Sequence, residues 1–83
     1  VKVEKYLAMD EEGKVFGRPD QVELDLIIKD GEIIAGEIKS SMSKSDVYAF
    51  YRKVKFYEEK EGKKVSGMII ISPMIEPMAK KVG

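Results

Sequence analysis

Eighty-three residues, fifteen basic against fifteen acidic, with no His and no Cys, bound a single domain near the lower size limit for a self-sufficient core. That composition excludes a thiolate or imidazole zinc site, a Cys or Ser-His nucleophilic triad and a disulfide framework. Zero net charge excludes a uniform polyanion-binding field, so any nucleic-acid surface must be a local patch.

Val1, Val3, Lys5 and Leu7 alternate with Lys2, Glu4, Tyr6 and Ala8, which predicts a strand, and the Asp10–Lys14 stretch with Gly13 predicts a turn after it. Val15 and Phe16 are expected to pair back as a short hairpin before Gly17-Arg18-Pro19-Asp20 breaks the pattern. From Val22 to Lys29 the apolar residues Val22, Leu24, Leu26 and Ile28 fall on one face, with Glu23, Asp25, Ile27 and Lys29 on the other. Lys29-Asp30-Gly31-Glu32 reads as a turn and Ile33–Lys39 as the return strand.

Ser40–Ser45 is polar, and Ser43 stands three residues ahead of Asp46 in a capping-box arrangement. A helix is expected to follow, with Val47, Phe50, Tyr51, Val54 and Tyr57 as its apolar stripe, Arg52, Lys53, Glu59 and Lys60 opposite, and Gly62 as its stop. The run Met68-Ile69-Ile70-Ile71 within Val65–Ile71 suits a central strand covered on both faces. Pro73 ends it, and Ile75–Val82 reads as a second helix. The fold class is therefore α/β, with a short mixed sheet of three N-terminal strands, a right-handed crossover helix, a parallel strand and a C-terminal helix.

Chemistry gathers in the Val22–Lys39 hairpin. Glu37 and Lys39, two apart on a strand, share a face. With a three-residue loop Asp30-Gly31-Glu32, Ile27 faces Ala35, Asp25 faces Glu37 and Glu23 faces Lys39. Two opposed carboxylates repel unless a cation lies between them, and Asp and Glu oxygens with water are what Mg²⁺ or Mn²⁺ takes. Lys39 is placed to position the attacking water and to stabilise charge on a phosphate. A two-residue type I′ turn at Asp30-Gly31 is the competing register. It puts Asp25 and Glu37 on opposite faces and mixes Glu37 and Lys39 with Val22 and Leu24, so the three-residue loop is preferred.

Asp25 in Val22-Glu23-Leu24-Asp25-Leu26-Ile27-Ile28 and Glu37 in Gly36-Glu37-Ile38-Lys39-Ser40-Ser41, with eleven residues between Asp25 and Glu37, resemble the D-x(n)-E-x-K core of the PD-(D/E)XK nuclease superfamily. They are most similar to archaeal Holliday-junction-resolvase-like and uncharacterised nuclease members. The resemblance implies a restriction-endonuclease-like core and Mg²⁺-dependent hydrolysis of DNA phosphodiesters, with branched DNA among the substrates. It implies Asp25 and Glu37 as metal ligands joined by the Ile38 carbonyl, and Lys39 as the catalytic lysine. Glu23, Asp20, Ser40 and Ser41 are accessory candidates; Asp20 follows Pro19 and spells the family's Pro-Asp, but is expected in a turn. Members usually carry a preceding helix with another acidic residue and a strand after the last helix, so residues 1–83 are read as one partial domain, truncated at both ends.

Blander readings weigh against each of these. Glu-x-Lys triplets in a Lys/Glu-rich chain are usually a solvated strand face. Lys44, Arg52, Lys53 and Lys55 fit phosphate neutralisation or a soluble helix face equally well. Tyr51 and Tyr57 read as core, Tyr48 as an aromatic for stacking or a dimer seam, Met68, Met74 and Met78 as core filler, and Ser40 and Ser41 as helix caps. The expected partners are DNA and a second copy of the chain, with no small-molecule cofactor. No apolar run approaches the roughly 18 residues of a membrane span and no signal segment opens the chain, so a cytoplasmic protein is expected. Asn, Thr and Trp are also missing and 36% of the residues are charged, which fits a thermophile. Two other classes compete with the nuclease: a non-catalytic nucleic-acid-binding or dimerisation module of the same fold, and a structural fragment whose apolar sheet edges self-associate.

Overall fold

The computed structural model describes residues 1–72. Strands β1 (Lys2–Asp10), β2 (Asp20–Lys29) and β3 (Glu32–Ile38) precede helix α1 (Lys44–Glu61) and strand β4 (Gly67–Ile71), and the sheet runs in the order β1-β2-β3-β4. The first two pairings are antiparallel and β3 pairs with β4 in parallel. The expected mixed α/β layout, with three N-terminal strands, a crossover helix and a parallel strand, is present. The helix expected over Ile75–Val82 lies outside the described residues.

One face of the sheet is covered. Val22, Leu24 and Leu26 alternate inward along β2, and α1 lays Phe50, Val54 and Tyr57 against Leu24, Leu26 and Ala35. A second cluster joins Val15, Val22 and Phe56. Successive helix residues step by about 100°, so an arc holding Phe50, Val54, Phe56 and Tyr57 is rotated toward Lys53 and away from Tyr51. Tyr51 is accordingly exposed rather than core, while Phe56, outside the expected stripe, is buried. The ends of α1 follow the sequence closely. Ser43 caps the N-terminus in a complete capping box with Asp46, and Gly62 closes the C-terminus in the left-handed region at φ 64°.

Three other expectations are corrected. Val15 and Phe16 form no hairpin. The buried Asp10 carboxylate accepts the Val15 amide at 2.8 Å, and this loop drops Val15 into the core. Burial pushes the Asp10 carboxyl up, but the amides of Val15, Lys14, Gly13 and Glu12 outweigh it and hold the group below its ordinary value. Asp20, expected in a turn, opens β2 opposite Asp10. Among the described residues β4 stands at the edge of the sheet rather than at its centre, with Met68, Ile69 and Ile71 exposed.

The hairpin register also differs. Lys29 pairs with Glu32, Ile27 with Ile34 and Asp25 with Gly36, across a two-residue loop whose residues Asp30 and Gly31 both have positive φ, 51° and 79°. Such a turn matches the right-handed twist of the strands, and Asp and Gly are the residues that tolerate it. The apolar cost that argued against this register is met by α1, which supplies a cation to the buried face.

Truncating the inward side chain in Leu24→Ala should cost about 2–5 kcal/mol in chemical denaturation. Leu7→Ala on the open face should stay within about 0.5 kcal/mol. Equal losses would contradict this assignment of faces.

Candidate active site

Pairing between β2 and β3 stops at Asp25 and Gly36, yet β3 continues beside β4 as far as Ile38, and the first half of β2 stays paired with β1. The sheet therefore parts between the start of β2 and the end of β3. The opening is a cleft of about 210 Å³, to which β1 contributes Lys5, β2 Glu23, Leu24 and Asp25, β3 Gly36, Glu37 and Ile38, and the following chain and α1 Lys39 and Lys53. Gly36 stands opposite Asp25 and brings no side chain. A Cβ there would lie 3.7 Å from the Asp25 carbonyl and 3.8 Å from that of Ile69, so the position is a gap in the cleft wall that a methyl group would enter without a clash.

The two-residue turn sets Asp25 on the open face with Ile27, and Glu37 on the helix-covered face with Ile33 and Ala35. They are not cross-strand partners, contrary to the three-residue-loop register, and Glu23 is not opposite Lys39. Both carboxylates nevertheless border the same cleft, because it opens where the two strands separate.

Each carboxylate already has a lysine. Lys53 Nζ lies 2.9 Å from Glu37 Oε1, with side chains only 15% and 11% exposed. Lys5 Nζ lies 3.6 Å from Asp25 Oδ1, and its side chain is 65% exposed. Lys39 is turned to the helix instead, its Nζ 2.9 Å from Asp46 Oδ1. Three lysines and three carboxylates thus line the cleft and cancel formally. Lys5 and Lys53 were not read from sequence as members of this group. Lys5 lies directly opposite Asp25 in the β1–β2 register, which a hairpin alignment of those strands could have found. Sequence leaves Lys53 evenly between phosphate neutralisation and a solvated helix face, and the rotation of α1 brings it into the cleft as the partner of Glu37.

The other candidates are dispersed. Asp20 pairs with Arg18 at 3.6 Å, away from the cleft. Ser40 and Ser41 are exposed, and neither caps α1, which Ser43 does. Lys44 stands exposed at the start of α1, and Arg52 borders a separate hollow with Gly13, Phe16 and Ala49. Lys55 approaches Glu58 at 3.8 Å and the Tyr51 ring centroid at 5.5 Å. A larger depression of about 760 Å³ lies between β1 and the end of α1. In its lining, Asp10 holds its loop through Oδ2 and Tyr6 donates to Glu61 at 3.0 Å. Convergent chemistry is therefore found in the smaller cleft.

Among the described residues no three acidic side chains converge as a metal-binding group. The donor set of the cleft is two carboxylates, Asp25 and Glu37, with the Ile38 main chain beside them. That set fits Mg²⁺ or Mn²⁺, since Mg²⁺ commonly takes one or two carboxylates and completes its shell with water and substrate phosphate. No helix among the described residues is long and apolar enough to cross a membrane.

A family model described as the PD-(D/E)XK nuclease superfamily matches residues 20–82. No match was found among curated proteins or solved structures.

Asp46 ties the cleft to the helix start. The hydrogen bond from Lys39, then those from the Ser43 amide and hydroxyl, lower its carboxyl from the ordinary 3.8 to about 2. A carboxyl lowered in the folded state contributes stability above its unfolded value and loses it as pH falls through the folded one. Stability should therefore decline between pH about 4 and about 2, and Asp46→Asn should flatten that decline while lowering stability at neutral pH by about 1 kcal/mol. Denaturation midpoints at pH 7 and pH 3 measure both effects. An unchanged slope in the variant would contradict the assignment.

Proposed function

This chain belongs to the PD-(D/E)XK nuclease superfamily, and on that premise we propose that it is a metal-dependent endonuclease hydrolysing DNA phosphodiesters, with branched DNA among the candidate substrates. The observation that carries the reading is the convergence of Asp25, Glu37 and Lys39 on one cleft at the parting of β2 and β3, inside the matched span. Asp25 and Glu37 would hold the divalent cation, with the Ile38 carbonyl as a further oxygen. The bound cation supplies Lewis acidity and a more acidic water. Lys39 reaches the cleft on a flexible stem, orients the attacking water and stabilises charge that develops on the phosphate oxygens. Asp46 holds that ammonium in place, and solvent at the open rim accepts the proton lost by the attacking water and supplies one to the departing ester oxygen.

A second reading keeps the fold as a non-catalytic nucleic-acid-binding or dimerisation module. The observation favouring it is the uncovered face of the described sheet, where Val3, Leu7, Met9, Ile38, Ile69 and Ile71 are exposed. A homodimer packed through that face is compatible with either reading.

Calorimetric titration of Mn²⁺ into the chain should show binding that Asp25→Asn loses, and the parent should nick supercoiled plasmid in the same buffer. Lys39→Ala should retain metal binding and lower the nicking rate about 10²–10³-fold. Binding without nicking would favour the second reading. Wild-type nicking by Lys39→Ala would exclude the proposed role of the lysine.

A further inference from the structure

We propose that Lys53 is the resting counter-ion of Glu37 and becomes a phosphate ligand once Glu37 is given over to a divalent cation, so that metal and DNA load in that order. The inference rests on the reading of Glu37 as a metal ligand and adds a residue and an ordering that the reading does not contain.

Of the ion pairs between described residues, Glu37–Lys53 has the least exposed partners on both sides. A carboxylate so little exposed needs a charge partner, because an unpaired buried charge is strongly destabilising. Lys53 is that partner, at 2.9 Å. Lys5 neutralises Asp25 at 3.6 Å from a largely exposed side chain, and water and salt weaken such a pair. The two carboxylates are therefore not equivalent, and Glu37 is the one whose lysine a metal must displace.

Charge sets the order. Three lysines and three carboxylates leave the resting cleft formally neutral, within a chain that is itself neutral, so nothing there draws a phosphate. A divalent cation raises the cleft to a net charge of about +2 and releases one ammonium. Lys39 has Asp46 to hold it at 2.9 Å. Among the described residues Lys53, once parted from Glu37, has the Phe16 ring, 6.0 Å from Nζ to the centroid, a weak perch for a cation. Its four-carbon stem lets it move within the cleft, and an ammonium of this kind binds phosphate as a point charge. The phosphodiester oxygen is the anion available to it.

The test compares the parent with Lys53→Met and Lys53→Arg, reading Mn²⁺ affinity by calorimetry without DNA and binding of a labelled duplex with and without Ca²⁺ by anisotropy. In the parent, Ca²⁺ should tighten duplex binding. Lys53→Met removes the competing cation, so Mn²⁺ affinity should rise about tenfold while duplex affinity in Ca²⁺ falls about tenfold. Lys53→Arg holds Glu37 with a forked guanidinium and should bind Mn²⁺ about tenfold more weakly than the parent. This variant keeps the charge, and so decides the matter even if Lys53→Met fails to fold. Weaker Mn²⁺ binding by Lys53→Met, unchanged binding by Lys53→Arg, or duplex binding indifferent to Ca²⁺ in a parent that binds Mn²⁺ would overturn the exchange alone. A parent that binds no Mn²⁺ would overturn the metal-dependent reading and the exchange together.

Discussion

At Asp30 and Gly31 the chain reverses in two residues with positive φ at both, and each side chain of the β2–β3 hairpin takes its face from that reversal. Strand side chains alternate with a period of two, so one residue more in the loop would move the whole of β3 to the other side. With the turn as it is, Ala35 meets the helix, Gly36 lies beside Asp25, and Glu37 is carried under α1. A carboxylate under a helix needs a cation from that helix, and Lys53 supplies it. The turn thus sets the positions of both carboxylates and the demand for the third charged partner.

The order of elements was legible because each announces itself locally. β2 alternates, α1 begins with a capping box and ends at Gly62, and a helix between two apolar runs implies a parallel crossover. The faces were harder to read. The three-residue loop was preferred because it kept β3 free of charge on its buried side, an argument that treats the hairpin as if nothing covered it. Lys53, sixteen residues further on from Glu37, removes the objection, and a tertiary ion pair is invisible to strand periodicity. The same blindness places Tyr51 in the core and leaves Lys53 undecided between phosphate and solvent. Val47, Phe50, Tyr51, Val54 and Tyr57 describe a stripe correctly by spacing, but the stripe alone does not fix how far the helix rolls on its sheet. Phe56 and Lys53 reveal the roll.

The charge balance gains meaning from this arrangement. A chain with equal numbers of acidic and basic residues has no long-range attraction for a polyanion, and in the cleft the cancellation is repeated at close range. Under the proposed function, affinity for phosphate is then conditional on something that changes the local sum. In an open cleft of small volume that condition is more readily met by an ion than by a rearrangement of the backbone, since β1, β2 and β3 are hydrogen-bonded to one another up to its edge.

The parallel pairing of β3 with β4 bears on how the molecule comes together. Ile34 and Gly67, which begin that ladder, must meet across a chain segment many times longer than the two-residue reversal at Asp30-Gly31. Loop-closure entropy alone makes that meeting costlier by about 2 kcal/mol. The three-strand meander is built from near neighbours and lies on the fast side of that divide, whereas the crossover contacts raise the contact order. Until α1 docks, Glu37 on the meander is solvated and has no buried neighbour. The charged pair beneath the helix therefore depends on closure of the crossover and not on the meander alone.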